Sequence, residues 1–163
     1  LKMFYPFASV NSVFTIDYSK LHNAGYKAII FDIYNTLVHH GKESTPEIDA
    51  LFKELHSMGF KTLLMSNNCR RRIEKFNKNI NTLFIPGAGK PCTKKYKKAL
   101  GMLGVKDTEV IFIGDQLFTD VWGANLTGIY SILVKPIDPR EEIQIVLKRY
   151  LEKIVLFFYL RQV

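Results

Sequence analysis

Five short apolar runs recur along this chain, and a stretch with helical patterning separates each from the next. The runs are Ala28–Phe31, Thr62–Met65, Leu83–Ile85, Val110–Ile113 and Tyr130–Val134. Each has the length and composition of a buried strand rather than a helix. The first intervening helix is the best defined: Thr45 is placed to cap it and Pro46 to occupy its first position. Ile48, Leu51, Phe52 and Leu55 line one face, and Gly59 ends it. Further helices are expected around Arg70–Phe76, over Pro91–Leu103 with Gly104 as terminator, over Leu117–Leu126 and over Glu141–Leu160. Strands alternating with helices build parallel βαβ units. Right-handed crossovers then place helices on both faces. The expected fold is therefore α/β, a three-layer, doubly wound, Rossmann-like parallel sheet. Residues 1–26 read as irregular, with a short helix near Ser19–Asn23.

The 163 residues suffice for one domain with a sizeable core, expected to span 1–163 with its core at about 27–134 and a C-terminal helix at about 141–160. Hydrophobic residues make up 47% and charged residues 23%, a globular composition. The net charge of +8 points to an anionic partner: a phosphorylated substrate, an anionic membrane surface or nucleic acid. No nucleic-acid-binding motif is present, so that class is set aside. Cys69 and Cys92 are too few for a zinc framework and read as reduced thiols of a cytoplasmic protein. The start, Leu1-Lys2-Met3-Phe4-Tyr5-Pro6, lacks the apolar core of a secretory signal. No apolar run approaches the roughly 20 residues that span a bilayer.

Chemistry-bearing residues cluster where the strands end, which is where open α/β sheets bind ligands. Asp32 follows the first run, in Phe31-Asp32-Ile33-Tyr34-Asn35-Thr36-Leu37-Val38. Ser66 follows the second and leads into Asn67-Asn68. Lys90 lies in Gly87-Ala88-Gly89-Lys90-Pro91. Asp115 and Asp120 lie in Gly114-Asp115-Gln116-Leu117-Phe118-Thr119-Asp120. Singly, each has an ordinary alternative as a cap, a loop carboxylate or a solvated charge. Together they suit phosphoryl transfer, which needs a nucleophile in line with the leaving oxygen and positive charge around the equatorial oxygens. A carboxylate such as Asp32 can act as that nucleophile. Mg²⁺ takes oxygen ligands, one or two of them carboxylates, and Asp32 with Asp115 meets that count.

In this order the four segments resemble the motifs of the haloacid dehalogenase (HAD) superfamily. The likeness extends over about 27–134. Asn-Thr-Leu-Val after the nucleophile, Ser-Asn-Asn, Gly-Lys-Pro and Gly-Asp-Gln-Leu-x-Thr-Asp are similar to subfamily IIIA, and within it to phosphatidylglycerophosphate phosphatase-like proteins. The resemblance implies a Mg²⁺-dependent phosphatase that forms an aspartyl-phosphate at Asp32 and acts on a phosphomonoester, with a phospholipid headgroup as the candidate within the narrower group. Asp32, Asp115 and the backbone carbonyl of Tyr34 would hold the metal. Ser66, Asn67 and Lys90 would bind phosphate, Lys90 would also neutralise the clustered charge, and Asp120 and Thr36 would support them.

Tyr34 departs from the pattern, because phosphatases of the superfamily carry there the aspartate that moves the proton. Tyrosine, with a reference pKa of about 10, donates a proton readily but is a poor base near neutrality. Two other readings stay open. One is a weakened member that binds a phosphorylated ligand with little turnover. The other is a metal-independent dehalogenase, whose motif also carries tyrosine but has glycine at the position of Asn35 and lacks the Gly114-Asp115 pair. His39 and His40, close behind, are candidate helpers of Tyr34 or plain loop histidines.

The intervals from Asp32 to Ser66 and from Ser66 to Lys90 each hold only loop, helix and strand, so no cap domain is expected. The open site suits a large or surface-bound substrate, or a homo-oligomer in which a neighbouring subunit covers it. Along Glu141–Leu160, Ile143, Val146, Leu147, Tyr150, Leu151, Ile154 and Phe158 follow helical spacing beside Lys148, Arg149 and Lys153. That face packs on the protein or on a second subunit, or lies peripherally on an anionic membrane. Arg70-Arg71-Arg72 and the lysines between Lys94 and Lys98 read as solvated faces.

Overall fold

The computed structural model describes residues 2–139 and Arg161. Six parallel strands form one sheet: β1 (Ala8–Val10), β2 (Ala28–Phe31), β3 (Lys61–Met65), β4 (Leu83–Ile85), β5 (Val110–Gly114) and β6 (Tyr130–Val134). Their order across the sheet is β1-β6-β5-β2-β3-β4. The helices are α1 (Tyr18–Asn23), α2 (Pro46–Ser57), α3 (Arg70–Asn77), α4 (Thr93–Leu103) and α5 (Trp122–Thr127). This is the α/β doubly wound arrangement expected, and β2 to β5 each continue into one helix with no inserted domain.

The alternation of side chains along each strand sorts the core into two layers. Ile29 and Phe31 of β2 join Leu64, Ile111 and Ile113 under α2 and α3, against Leu51, Phe52, Leu55, Ile73 and Phe76. Ala28 and Ile30 face the other way, with Leu63, Met65 and Phe112, against Tyr96, Ala99 and Leu103 of α4 and Ala124 of α5. Strands buried on both faces must be apolar throughout, which is why they appear as unbroken runs in the sequence. Local signals also held. Thr45 Oγ1 accepts the amide of Ile48 at 3.3 Å, with Pro46 in the first helical turn of α2. Gly59, at φ +96°, takes the left-handed conformation that closes the helix.

Three expectations need correction. Residues 1–26 hold a strand that was not expected, Ala8–Val10, which pairs with Ile132–Val134 at the sheet edge, while α1 (Tyr18–Asn23) is the short helix expected near Ser19–Asn23. A three-residue strand has no periodicity to detect, so only pairing with β6 defines it. The stretch Leu117–Leu126 is not one α-helix but a π-helical turn over Leu117–Val121 followed by α5. The Val121 amide reaches back to the Gln116 carbonyl at 3.2 Å, widening the turn. The helix read over Pro91–Leu103 starts at Thr93, which leaves Lys90 and Pro91 in the loop before it. The expected helix over Glu141–Leu160 lies outside the described residues. Among the described residues no helix is long and apolar enough to cross a membrane.

Candidate active site

From β2 the chain crosses to β3 on one side, whereas β5 lies on the other side of β2. The carboxyl ends of β2 and β5 therefore flank the switch point where such sheets form their ligand crevice. Phe31 pairs with Ile113, so the residues that follow, Asp32 and then Asp115 beyond Gly114, leave adjacent strands side by side. The Asp32 amide continues the ladder to the Ile113 carbonyl at 2.9 Å.

Behind Asp32 the chain folds into a tight loop. The Ile33 carbonyl accepts from the amides of Thr36 and Leu37, and the Asn35 amide donates to Val38. Asn35 sits at φ +63°, in the left-handed region that favours glycine and tolerates asparagine. This explains why asparagine can replace glycine at that position. Its side chain also accepts the Asp138 amide at 3.2 Å, tying the loop to the chain beyond β6. The loop turns Thr36 back so that its hydroxyl lies 3.0 Å from Asp32 Oδ2 and 3.2 Å from Asp115 Oδ1. One hydroxyl proton thus serves two carboxylates.

Lys90 Nζ reaches Asp32 Oδ1 at 2.7 Å and Asp120 Oδ1 at 2.5 Å. It also lies 3.4 Å from the Met65 carbonyl. Its backbone amide is fixed by Asn67 Oδ1 at 2.9 Å. Asp120 Oδ2 accepts the amides of Asp115 and Gln116, each at 3.2 Å. Asp120 is thus fully engaged by the protein, whereas among the described residues the Asp115 carboxylate receives only the Thr36 hydroxyl. Ser66, also buried, spends its hydroxyl oxygen on the Asn68 amide at 3.1 Å. The expected residues Asp32, Thr36, Lys90, Asp115 and Asp120 therefore converge directly, with Ser66 and Asn67 beside them.

The electrostatics follow from burial. Asp32, Asp115 and Asp120 are 8%, 6% and 1% exposed, and a carboxylate oxygen of each lies within 4.8 Å of the others. Three carboxylates against one ammonium leave negative charge uncompensated. Burial, then the charges of Asp32 and Asp120, push the Asp115 carboxyl above its ordinary range. Burial also raises Asp120, with Lys90 opposing. Burial alone would lower Lys90, but Asp120 and Asp32 outweigh it and hold the ammonium charged. A pocket of hard oxygen ligands with excess negative charge fits a small divalent cation, and Asp32 and Asp115 are the carboxylates positioned to meet one.

Tyr34 is buried against the exposed His40 ring, with centroids 5.3 Å apart. Burial pushes its hydroxyl pKa up, Arg72 opposes, and Cys69 and Asp32 add to the rise. The phenol therefore stays protonated at neutral pH.

Tyr96 carried no sequence signal, and Asn68 of the Ser-Asn-Asn segment was assigned no role. Tyr96, within a run of lysines that reads as surface, is fully buried and donates its hydroxyl to the carbonyls of Thr119 (3.0 Å) and Asp120 (3.2 Å). It thereby holds the π-helical turn that carries Asp120. Gly123 must lack a side chain, since a Cβ there would collide with the Tyr96 ring. Asn68 links Ser66 to Arg72, whose Nη1 donates to Asn68 Oδ1 at 3.2 Å.

Comparison with known proteins agrees with this geometry. A family model described as haloacid dehalogenase-like hydrolase matches residues 40–128, a span that includes Ser66, Lys90, Asp115 and Asp120 and begins after Asp32. The chain is 37% identical over 137 residues to "Probable phosphatase YqeG" of Bacillus subtilis, covering 83% of this chain and 80% of that protein. Among solved structures, an uncharacterized protein of Listeria monocytogenes superimposes with a TM-score of 0.57 at 20% identity, over 70% of this chain and 84% of that one. The cobalt-bound deoxy-D-mannose-octulosonate 8-phosphate phosphatase of Haemophilus influenzae does so with a TM-score of 0.53 at 14% identity, over 72% and 81%. Both structural likenesses bear on the fold alone.

Proposed function

Since this chain belongs to the haloacid dehalogenase-like hydrolase family, we propose that it is a phosphatase, a single-domain enzyme that hydrolyses a phosphomonoester through an aspartyl-phosphate at Asp32. The observation that carries this reading is the convergence of Asp32, Asp115, Asp120 and Lys90 at the switch point between β2 and β5. Mg²⁺ would be held by Asp32, Asp115 and the Tyr34 backbone carbonyl, and would supply positive charge against the phosphoryl group.

The remaining roles belong to the chain's own residues. Asp32 attacks phosphorus in line with the departing alcohol, and the P–O bond to that alcohol breaks. Lys90 orients Asp32 and offsets charge on the equatorial oxygens, helped by Ser66 and Asn67. Asp120 keeps the Lys90 ammonium in place, and Thr36 fixes both Asp32 and Asp115. The Tyr34 hydroxyl donates the proton that the leaving alkoxide takes up. Water then releases phosphate from Asp32.

The motif likeness to subfamily IIIA and to phosphatidylglycerophosphate phosphatase-like proteins makes a phospholipid headgroup a natural substrate. Support comes from the absence of an inserted cap among the described residues, because an uncapped site admits a substrate held at a surface. The segment 141–160 is then the element to meet that surface. The decisive experiment is hydrolysis of p-nitrophenyl phosphate with Mg²⁺ and with chelator. Asp32→Asn should lower kcat by about a thousandfold or more, the scale of loss when a nucleophile is removed. Activity that survives the substitution, or that ignores the chelator, would reject the reading.

A further inference from the structure

We propose that Asn35 is a positioning residue: its side chain clamps the loop behind Asp32 to the chain beyond β6 and so holds the Tyr34 hydroxyl where the leaving alkoxide forms. The proposal rests on the phosphatase reading and deepens it by naming the residue through which the proton donor is aimed.

The base of the loop is fixed by packing. Ile33, Leu37 and Val38 are buried in the core layer beneath α2. The loop's own backbone bonds, from Thr36 and Leu37 to Ile33 and from Asn35 to Val38, close it on itself. Neither sets its tilt sharply, because apolar contact has no direction and internal bonds move with the loop. Two outside attachments do. On one side the Thr36 hydroxyl meets Asp32 and Asp115 at 3.0 and 3.2 Å. On the other, Asn35 is bonded to Ile137 and Asp138. Its carbonyl accepts the Ile137 amide at 3.1 Å, its Oδ1 accepts the Asp138 amide at 3.2 Å, and its Nδ2 donates to the Asp138 carbonyl at 3.4 Å. The side-chain amide thus pairs with a distant backbone residue as a strand neighbour would.

The residue type points the same way. At φ +63° glycine would meet the backbone requirement without strain. A buried asparagine must instead find partners for both ends of its amide, and the Asp138 backbone supplies one donor and one acceptor. What asparagine adds over glycine is therefore the clamp. Tyr34, the next residue toward Asp32, depends on it. Among the described residues its hydroxyl makes no hydrogen bond, so the ring is aimed by packing, including the His40 contact at 5.3 Å, and by the backbone that carries it.

The test uses the leaving group. Glycerol 3-phosphate expels an alkoxide that must be protonated, whereas p-nitrophenolate leaves without a proton. With Mg²⁺ present, kcat/KM is compared on the two. Tyr34→Phe should lower it for glycerol 3-phosphate by about 100-fold or more relative to p-nitrophenyl phosphate, the scale of a positioned acid. Asn35→Gly keeps the backbone conformation and deletes the clamp. It should give the same selective loss at about 10- to 100-fold, the effect of misplacing a group by an ångström. In the Tyr34→Phe background Asn35→Gly should add no selectivity, since the two act through one hydroxyl. Asp138→Pro removes the amide that Asn35 accepts and should reproduce the loss from outside the loop. A merely structural role would lower both substrates alike. Equal loss on the two substrates in Asn35→Gly and Asp138→Pro, or a selective loss that persists in full without the Tyr34 hydroxyl, would overturn the proposal and leave the phosphatase reading standing. No selective loss in Tyr34→Phe would overturn it together with the proton-donor role of Tyr34. Failure of the wild type on both substrates would overturn the phosphatase reading as well.

Discussion

Tyr34 and Lys90 show how the same burial acts differently on two side chains. Lys90 is enclosed by Asp32 and Asp120, so its ammonium stays charged despite the loss of water around it. Tyr34 has no counter-charge of comparable strength, so burial keeps its hydroxyl neutral. The phenol can give a proton to a leaving alkoxide, and once solvent has returned that proton to the phenolate, the neutral hydroxyl is no base for the water that attacks the aspartyl-phosphate. Release of phosphate from Asp32 should therefore limit turnover. Tyr34→Asp should raise kcat on p-nitrophenyl phosphate by about 10²- to 10⁴-fold, the usual contribution of a positioned acid or base. A pre-steady-state burst should be seen in the wild type and lost in the variant. A wild type without a burst, already as fast as the variant, would count against a rate-limiting second step. The raised pKa favours slow turnover; the dehalogenase alternative is disfavoured by the intact Gly114-Asp115 pair, because a second buried carboxylate beside Asp32 is costly without a cation.

At the level of elements, the carboxylates are presented in two ways. Asp32 and Asp115 leave the ends of paired strands, where the Asp32 amide continues the ladder and the Asp115 amide is held by Asp120. Asp120 instead rides on a π-helical turn, a wider and less regular structure that needs outside support. Tyr96 of α4 gives that support, its hydroxyl bonding to the carbonyls of Thr119 and Asp120. Tyr96→Phe keeps the ring against Phe112 but removes the one hydroxyl that ties α4 to the carbonyls of Thr119 and Asp120, the first of which also accepts the Trp122 amide. It should cost about 0.5–1.5 kcal/mol in stability, read as a lower urea midpoint with unchanged m-value. A midpoint equal to the wild type would mean that the turn holds itself.

For the whole molecule, the acidic cluster links stability to pH and to metal. Asp115 and Asp120 titrate higher in the folded protein than the ordinary carboxylate value of 3.8. The folded state therefore holds protons that the unfolded state has already released. Without metal, stability should fall as pH rises from about 4 through the raised folded values, because the ionised carboxylates repel one another. Mg²⁺ binds the ionised form, so the rise in Tm on adding Mg²⁺ should be small at pH 5 and larger at pH 8. Asp115→Asn should flatten both dependences. A Mg²⁺ shift that is equal at the two pH values would show that the cluster is not where the cation acts.

The sequence by itself determined the doubly wound sheet and the positions of Asp32, Ser66, Lys90, Asp115 and Asp120. Strands buried on both faces must be continuous apolar runs, and catalytic residues of such folds follow their carboxyl ends, so both leave marks at fixed places in the chain. Cap signals such as Thr45 and Gly59 were legible for the same reason, since their causes lie within a few residues. Only the tertiary structure decided the edge strand at Ala8–Val10, which exists through its pairing with β6, and the π-helical turn, which is held by Tyr96 from another element. It also decided that Arg72 donates to Asn68 while Arg70 pairs with Glu74. Two arginines two residues apart look alike in a basic run; Asn68 and Glu74, brought to them by the fold, give them different work.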